Sequence, residues 1–224
     1  MTDLQFDVLA FDLDGTLADT ASDLTSALNR TLATLDRPAL DDVVVRLMVG
    51  NGVRALLRRG LAATGETSDE LVESLFPTFI EHYRADICTG TRAYSGAEQT
   101  LDLLADAGVM LAICTNKPEQ LTRLLIEKLG WADRFAAIVG GDTLAVRKPN
   151  AAPLLETVAR AGGGNAAFVG DSITDVATAR AAGLPIVAVS FGFADRPAAE
   201  LGADLVIDRF DELLPALRRL GSAR

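Results

Sequence analysis

With 224 residues, 49% of them hydrophobic, the chain can bury a substantial core as one large domain or as a domain carrying a sizeable insert. Its formal net charge of −10 argues against a nucleic-acid footprint, which needs clustered lysine and arginine, and obliges any anionic ligand to find a local cation. The single histidine, His82, excludes mechanisms that need two histidines or a histidine cluster around paired metals.

In chain order, a first strand is predicted over DVLAF, residues 7–11, and it runs straight into Asp12 and Asp14, followed at once by Gly15 and Thr16. Taken alone, Asp and Gly after a strand make a turn. From about Thr20 to Ala93 the pattern becomes purely helical. Leu24, Leu28, Leu32 and Leu35 recur at spacings of four, four and three, and Leu71, Leu75, Phe79 and Tyr83 repeat every four. His82 falls within this pattern as a surface or half-buried helix residue.

After Tyr94, strands and helices alternate. The strands are VMLAICT (109–115), FAAIV (135–139), AAFVG (166–170) and PIVAVS (185–190). The helices are PEQLTRLLIEKLG, opened by Pro118 and closed by Gly130, then AAPLLETVARAGG (151–163) and DVATARAAG (175–183). This order predicts an α/β protein with a doubly wound, Rossmann-like parallel-sheet core and a helical cap inserted after the first strand. Residues 1–19 and 94–224 would form the core and residues 20–93 the cap.

The longest apolar stretches, such as LPIVAVSFGFA, fall short of the ~18 residues of a membrane helix, and MTDLQFD lacks the basic and apolar regions of a leader, so a cytoplasmic protein without membrane contact is expected. Cys88 and Cys114 read as unpaired thiols. Neither opens a Cys-x5-Arg loop, the sixth residue on being Tyr94 and Gln120.

In parallel sheets of this kind the ligand site lies outside the carboxyl ends of the strands. The residues just past those ends are Asp12 and Asp14, then Thr115, Asn116 and Lys117, then Lys148 in GGDTLAVRKP, then Asp171 and Asp175 in GDSITD. Each has an ordinary reading. Thr115 and Asn116 can cap the helix that starts near Pro118, Lys148 can be a solvated loop lysine, and Asp171 and Asp175 can cap a helix and sit in its first turn. Together they make a rim of carboxylates that would repel one another without a cation, and an all-oxygen cluster suits a hard ion such as Mg²⁺.

The run Asp12-Leu13-Asp14-Gly15-Thr16, the strand-end Thr115, Lys148 before Pro149, and Gly170-Asp171 with Asp175 four residues on resemble the four sequential motifs of the haloacid dehalogenase superfamily of phosphotransferases. The resemblance spans the whole chain. Within that superfamily, YSGAEQTLDLLADAG, TNKP, VGGDTLAVRKP, FVGDSITDVATARAAG and VGNGVRALL are similar to the bacterial phosphoglycolate phosphatases, with Ser95 standing where those relatives usually carry proline.

The resemblance implies that Asp12 is a nucleophile forming an aspartyl-phosphate and that Asp14 is the general acid and then the general base. It implies Mg²⁺ held by the Asp12 carboxylate, the Asp14 backbone carbonyl and the Asp171 carboxylate, with Asp175 behind them. Thr115, helped by the Asn116 backbone, would donate to a phosphoryl oxygen, and Lys148 would offset the charge of nucleophile and phosphate. The cap would close as a lid, with Gly50 and Gly52 nearest the substrate. Arg54 is the candidate partner for a substrate carboxylate, in competition with Arg46, Arg58 and Arg59.

The activity so implied is Mg²⁺-dependent hydrolysis of a small phosphorylated metabolite, 2-phosphoglycolate first, by a monomer or homodimer. A pyrophosphatase, a sugar-phosphate phosphatase, a phosphosugar mutase and a non-catalytic phosphate-binding protein are the alternatives. The presence of Asp12 argues against the last. Asp14 argues against a 2-haloacid dehalogenase, which needs no proton donor at that position.

Overall fold

The computed structural model describes residues 4–194 and 196–222. At its centre lies β1 (Val8–Phe11), buried along its whole length, as a strand covered on both faces must be. The chain then forms β2 (Ala18–Asp19), α1 (Ala21–Ala33), α2 (Asp42–Arg46), α3 (Val53–Thr64), α4 (Asp69–Ala85) and β3 (Arg92–Ala93). Strands and helices alternate from there: α5 (Ala97–Asp106), β4 (Met110–Cys114), α6 (Glu119–Lys128), β5 (Ala137–Val139), α7 (Ala151–Arg160), β6 (Ala166–Gly170), α8 (Ile173–Ala182), β7 (Ile186–Val189), β8 (Leu205–Ile207) and α9 (Leu213–Ser222).

Six strands make one parallel sheet in the order β5-β4-β1-β6-β7-β8. Val8 pairs with Met110 on one side and Ala166 on the other, so β4 and β6 flank β1 in matched register. The chain winds outward through β4 and β5, then returns to the other side of β1 for β6, β7 and β8. The winding therefore reverses at β1, and the carboxyl ends of β1, β4 and β6 meet at the switch point where such sheets bind ligands.

The helices between β2 and β3 pack through the leucine stripes: Leu24, Leu28 and Leu32 of α1 and Leu75, Phe79 and Tyr83 of α4 are buried, continuous with the core beneath. Gly60 allows α3 to lie against α1, since a Cβ there would stand 2.8 Å from Leu28 Cδ1. Leu35 does not extend the stripe. It lies past the end of α1, exposed, where the chain turns through Asp36 at φ +55°. His82 is half-buried on α4, its Nδ1 3.2 Å from Thr31 Oγ1.

Three strands lie outside the sequence expectation. β2 and β3 form a two-residue antiparallel ribbon, Ala18 opposite Ala93 and Asp19 opposite Arg92, where the helical segment leaves and rejoins the sheet. Two residues carry no periodicity to read. β8 is a three-residue edge strand with only Ile207 fully buried. Both cysteines are free thiols, and among the described residues no helix is long and apolar enough to cross a membrane.

Candidate active site

Asp12 is placed by the sheet itself. Its backbone N–H donates to Val169 O at 2.9 Å, extending the β1–β6 pairing past the strand end, and its Oδ1 accepts the Leu13 N–H at 2.7 Å. The loop then turns back through Gly15 at φ +85°, a conformation that costs glycine little. A Cβ at Gly15 would stand 2.4 Å from Asp171 Oδ2, so the turn passes against that carboxylate.

Asp171 leaves β6 and is fixed from two directions: Thr16 Oγ1 donates to its Oδ1 at 2.9 Å, and the Phe193 N–H donates to its Oδ2 at 2.7 Å. Asp175 closes a capping box with Ser172 at the start of α8. Its Oδ2 accepts from the Asp171 and Ser172 N–H groups and the Ser172 hydroxyl. The buried Lys148 ammonium lies between the carboxylates, 2.6 Å from Asp175 Oδ1 and 3.0 Å from Asp12 Oδ2. Across the rim Thr115 follows β4, its N–H donating to Val139 O at 3.0 Å and its Oγ1 accepting the Lys117 N–H at 3.3 Å.

Burial sets the electrostatics. Desolvation pushes the Asp12 carboxyl up to about 6, against the opposing pull of Lys148. Desolvation first, and then the charges of Asp175 and Asp12, push Asp171 up to about 8. Burial draws the Lys148 ammonium down, but Asp12 and Asp175 outweigh it and hold its pKa above the ordinary lysine value. One lysine among three carboxylates leaves the cluster short of positive charge.

Asp12, Asp171 and Asp175 each offer an oxygen within 4.8 Å of the others, all buried, so this triad is able to bind a metal ion. An all-carboxylate donor set fits a hard cation. Asp175 is the most heavily engaged of the three, with three donors on one oxygen and Lys148 on the other. Among the described residues each Asp171 oxygen takes a single protein hydrogen bond, leaving lone pairs for an ion.

Beside Asp12 a cavity of about 30 Å³ separates the sheet from the helical segment. Asp12, Asp14, Thr115, Asn116 and Lys117 form its floor, and Leu24, Val49, Gly50, Gly52, Val53 and Leu56 its roof. Asn116 Nδ2 ties the two layers, donating to Gly50 O at 3.1 Å and to Lys148 O at 3.2 Å. Asn51 Nδ2 donates to Thr174 Oγ1 at 3.2 Å, a second tie.

The structure thus gathers Asp12, Asp14, Thr115, Asn116, Gly50 and Gly52 around one cavity, with Lys148, Asp171 and Asp175 beneath. Arg54 stands elsewhere. Its guanidinium makes a two-pronged pair with Glu73 of α4 at 2.6 and 2.9 Å and covers the Phe76 ring, and it does not line the cavity. Nor do its competitors: Arg46 pairs with Asp19, Arg58 with Asp69, and Arg59 binds Met48 O and Asn51 Oδ1.

The sequence places Lys117 past the end of a strand and Tyr83 in a helical stripe but assigns neither a role in the site. Lys117 Nζ donates to Asp14 Oδ1 and Oδ2 at 2.8 and 3.0 Å and to the Tyr83 hydroxyl at 2.7 Å, its side chain 2% exposed. The available signals were a lysine two residues past a strand-end threonine and a tyrosine closing an otherwise apolar stripe.

A family model described as haloacid dehalogenase-like hydrolase matches residues 9–189. The chain is 47% identical over 211 residues to a phosphoglycolate phosphatase of Agrobacterium fabrum, covering 92% of this chain and 90% of that protein. It is 46% identical over 210 residues to a phosphoglycolate phosphatase of Rhodospirillum rubrum, covering 91% and 87%. Its fold superposes on the crystal structure of a predicted phosphoglycolate phosphatase from Haemophilus somnus with a TM-score of 0.89 at 28% identity, over 96% of this chain and 99% of that one.

Proposed function

Because the chain belongs to the haloacid dehalogenase-like hydrolases and is a phosphatase, we propose that it hydrolyses 2-phosphoglycolate to glycolate and phosphate through an aspartyl-phosphate on Asp12. The observation that carries the reading is the pairing of Asp12 with the buried Lys148 at the carboxyl end of the central strand, with Asp14 two residues on along the cavity floor.

An Asp12 oxygen attacks phosphorus in line, and the bond from phosphorus to the leaving oxygen breaks. Asp14 gives a proton to that oxygen, then takes one from the water that attacks the aspartyl-phosphate, so phosphate leaves and Asp12 is restored. The Thr115 hydroxyl and the Asn116 N–H donate to phosphoryl oxygens, and Lys148 balances the charge of Asp12 and phosphate together. Held by the Asp12 and Asp171 carboxylates and the Asp14 carbonyl, Mg²⁺ would supply the positive charge that draws a phosphate dianion toward carboxylates. Asp175 holds Lys148 and orients the Asp171 backbone.

In this reading residues 20–93 are a lid over a core of residues 1–19 and 94–224, and the enzyme works in the cytoplasm as a monomer or homodimer. The named activity of the relatives supports a two-carbon leaving group. Phosphate release from a panel of phosphorylated metabolites tests it: kcat/KM for 2-phosphoglycolate is expected to exceed that for ethyl phosphate, glucose phosphates and pyrophosphate by at least ~10-fold. Should pyrophosphate or a hexose phosphate win, the substrate assignment falls.

A further inference from the structure

We propose that Lys117 is the residue that reads the carboxylate of the substrate, an inference that rests on the phosphoglycolate reading of the same site. Among the described residues it is the one cation lining the cavity. The arginines of the helical segment with a claim to the role are all engaged outside the cavity. The roof opposite Lys117 offers aliphatic side chains from Leu24, Val53 and Leu56, which have nothing to give a carboxylate.

The lysine is also built into place. Its backbone N–H donates to Thr115 Oγ1, so the ammonium hangs from the same short loop that presents the strand-end hydroxyl. The side chain is buried, and a buried ammonium requires an anion and filled hydrogen-bonding positions. Its three protons have three acceptors: the Tyr83 hydroxyl and the two Asp14 oxygens. The Tyr83 ring also lies 4.5 Å from Nζ, centroid to nitrogen, and favours the cation.

Two of those three hydrogen bonds therefore end on a carboxylate that lines the cavity. A leaving group of two carbons, its phosphorus in reach of Asp12, carries its own carboxylate into the space beside Asp14. There Lys117 turns the same two protons toward it while Tyr83 keeps the third. The exchange leaves the ammonium fully paired and releases the Asp14 carboxyl to face the leaving oxygen. A leaving group of the same length without the carboxylate offers nothing in exchange and leaves Lys117 on Asp14. Lys117 thus discriminates by charge, and Tyr83 positions it from the helical segment.

The test compares 2-phosphoglycolate with ethyl phosphate in the full-length protein and its Lys117→Met and Tyr83→Phe variants, with thermal unfolding run alongside. In the parent protein the acid is expected to win by at least ~10-fold in kcat/KM. In Lys117→Met that ratio is expected to fall at least ~10-fold, most of it as a raised KM for 2-phosphoglycolate. A ratio that holds in Lys117→Met while both substrates slow together overturns the assignment and makes Lys117 a prop for Asp14 alone. If Lys117→Met does not fold, Tyr83→Phe decides: a KM that rises several-fold more for 2-phosphoglycolate than for ethyl phosphate supports the assignment, and equal shifts overturn it. A parent protein with no preference for the acid removes the phosphoglycolate reading and this inference with it, whereas a kept preference with an unmoved ratio removes this inference alone.

Discussion

Asp12 and Asp14 share a loop and a cavity, yet their surroundings differ. Asp12 lies 4% exposed between Lys148 and the backbone of Leu13, with burial holding its carboxyl near 6, while Asp14 stands at the cavity floor against Lys117. That asymmetry suits a nucleophile that must stay put and a proton carrier that must reach the leaving oxygen. Asp12→Asn keeps the shape and removes the attacking oxygen's charge. It is expected to fold as the parent does by circular dichroism and to release phosphate at a negligible rate, as is the parent protein stripped of divalent ions in chelator. Undiminished turnover in the variant would sink the covalent mechanism, and undiminished turnover in chelator would sink the metal requirement.

At the scale of the element, the loop from Asp12 to Ala18 depends on Gly15, at φ +85° and with Asp171 Oδ2 and the Phe193 ring where a side chain would go. Gly15→Ala is expected to leave the sheet intact but displace the Asp171 carboxylate, weakening Mg²⁺ activation by about 10- to 100-fold, the range seen when groups supporting a metal ligand are disturbed. A titration of activity against Mg²⁺ that superposes on the parent's would refute this. The strands that carry the site were legible because β1, β4 and β6 are nearly continuous apolar runs ending in polar residues. The ribbon β2–β3 and the edge strand β8 were not, being too short for a pattern. Arg54 shows another limit. Its place at the start of α3 is plain from the glycines before it, but which way it faces is decided by Glu73, 19 residues on in α4. Lys117 is the reverse case: its place past the end of β4 is plain from the sequence, but its partners are set only by the packing of α4, which brings Tyr83 to it.

For the whole molecule, the buried carboxylates tie stability to pH and to metal. Asp171 is pushed up to about 8 and Asp12 to about 6 from an ordinary value of 3.8. At these two groups the metal-free folded state therefore binds more protons than the unfolded chain, and their contribution to its stability falls as pH rises from about 4 to 8. A divalent ion held there would displace those protons, so the stabilisation it adds is expected to grow over the same interval. Melting temperatures measured across that interval in chelator and in excess Mg²⁺ should diverge with rising pH; curves that run parallel would show that the ion does not answer these charges. The helical segment matters at this scale for a different reason. It leaves the sheet through β2 and returns through β3, and these strands lie side by side, Ala18 against Ala93. Two adjacent antiparallel strands can be joined by a turn of two residues, so everything between them is, in terms of connectivity, one long hairpin loop. Such a loop is a cassette: its removal or replacement leaves every strand of the sheet that holds Asp12 threaded as before.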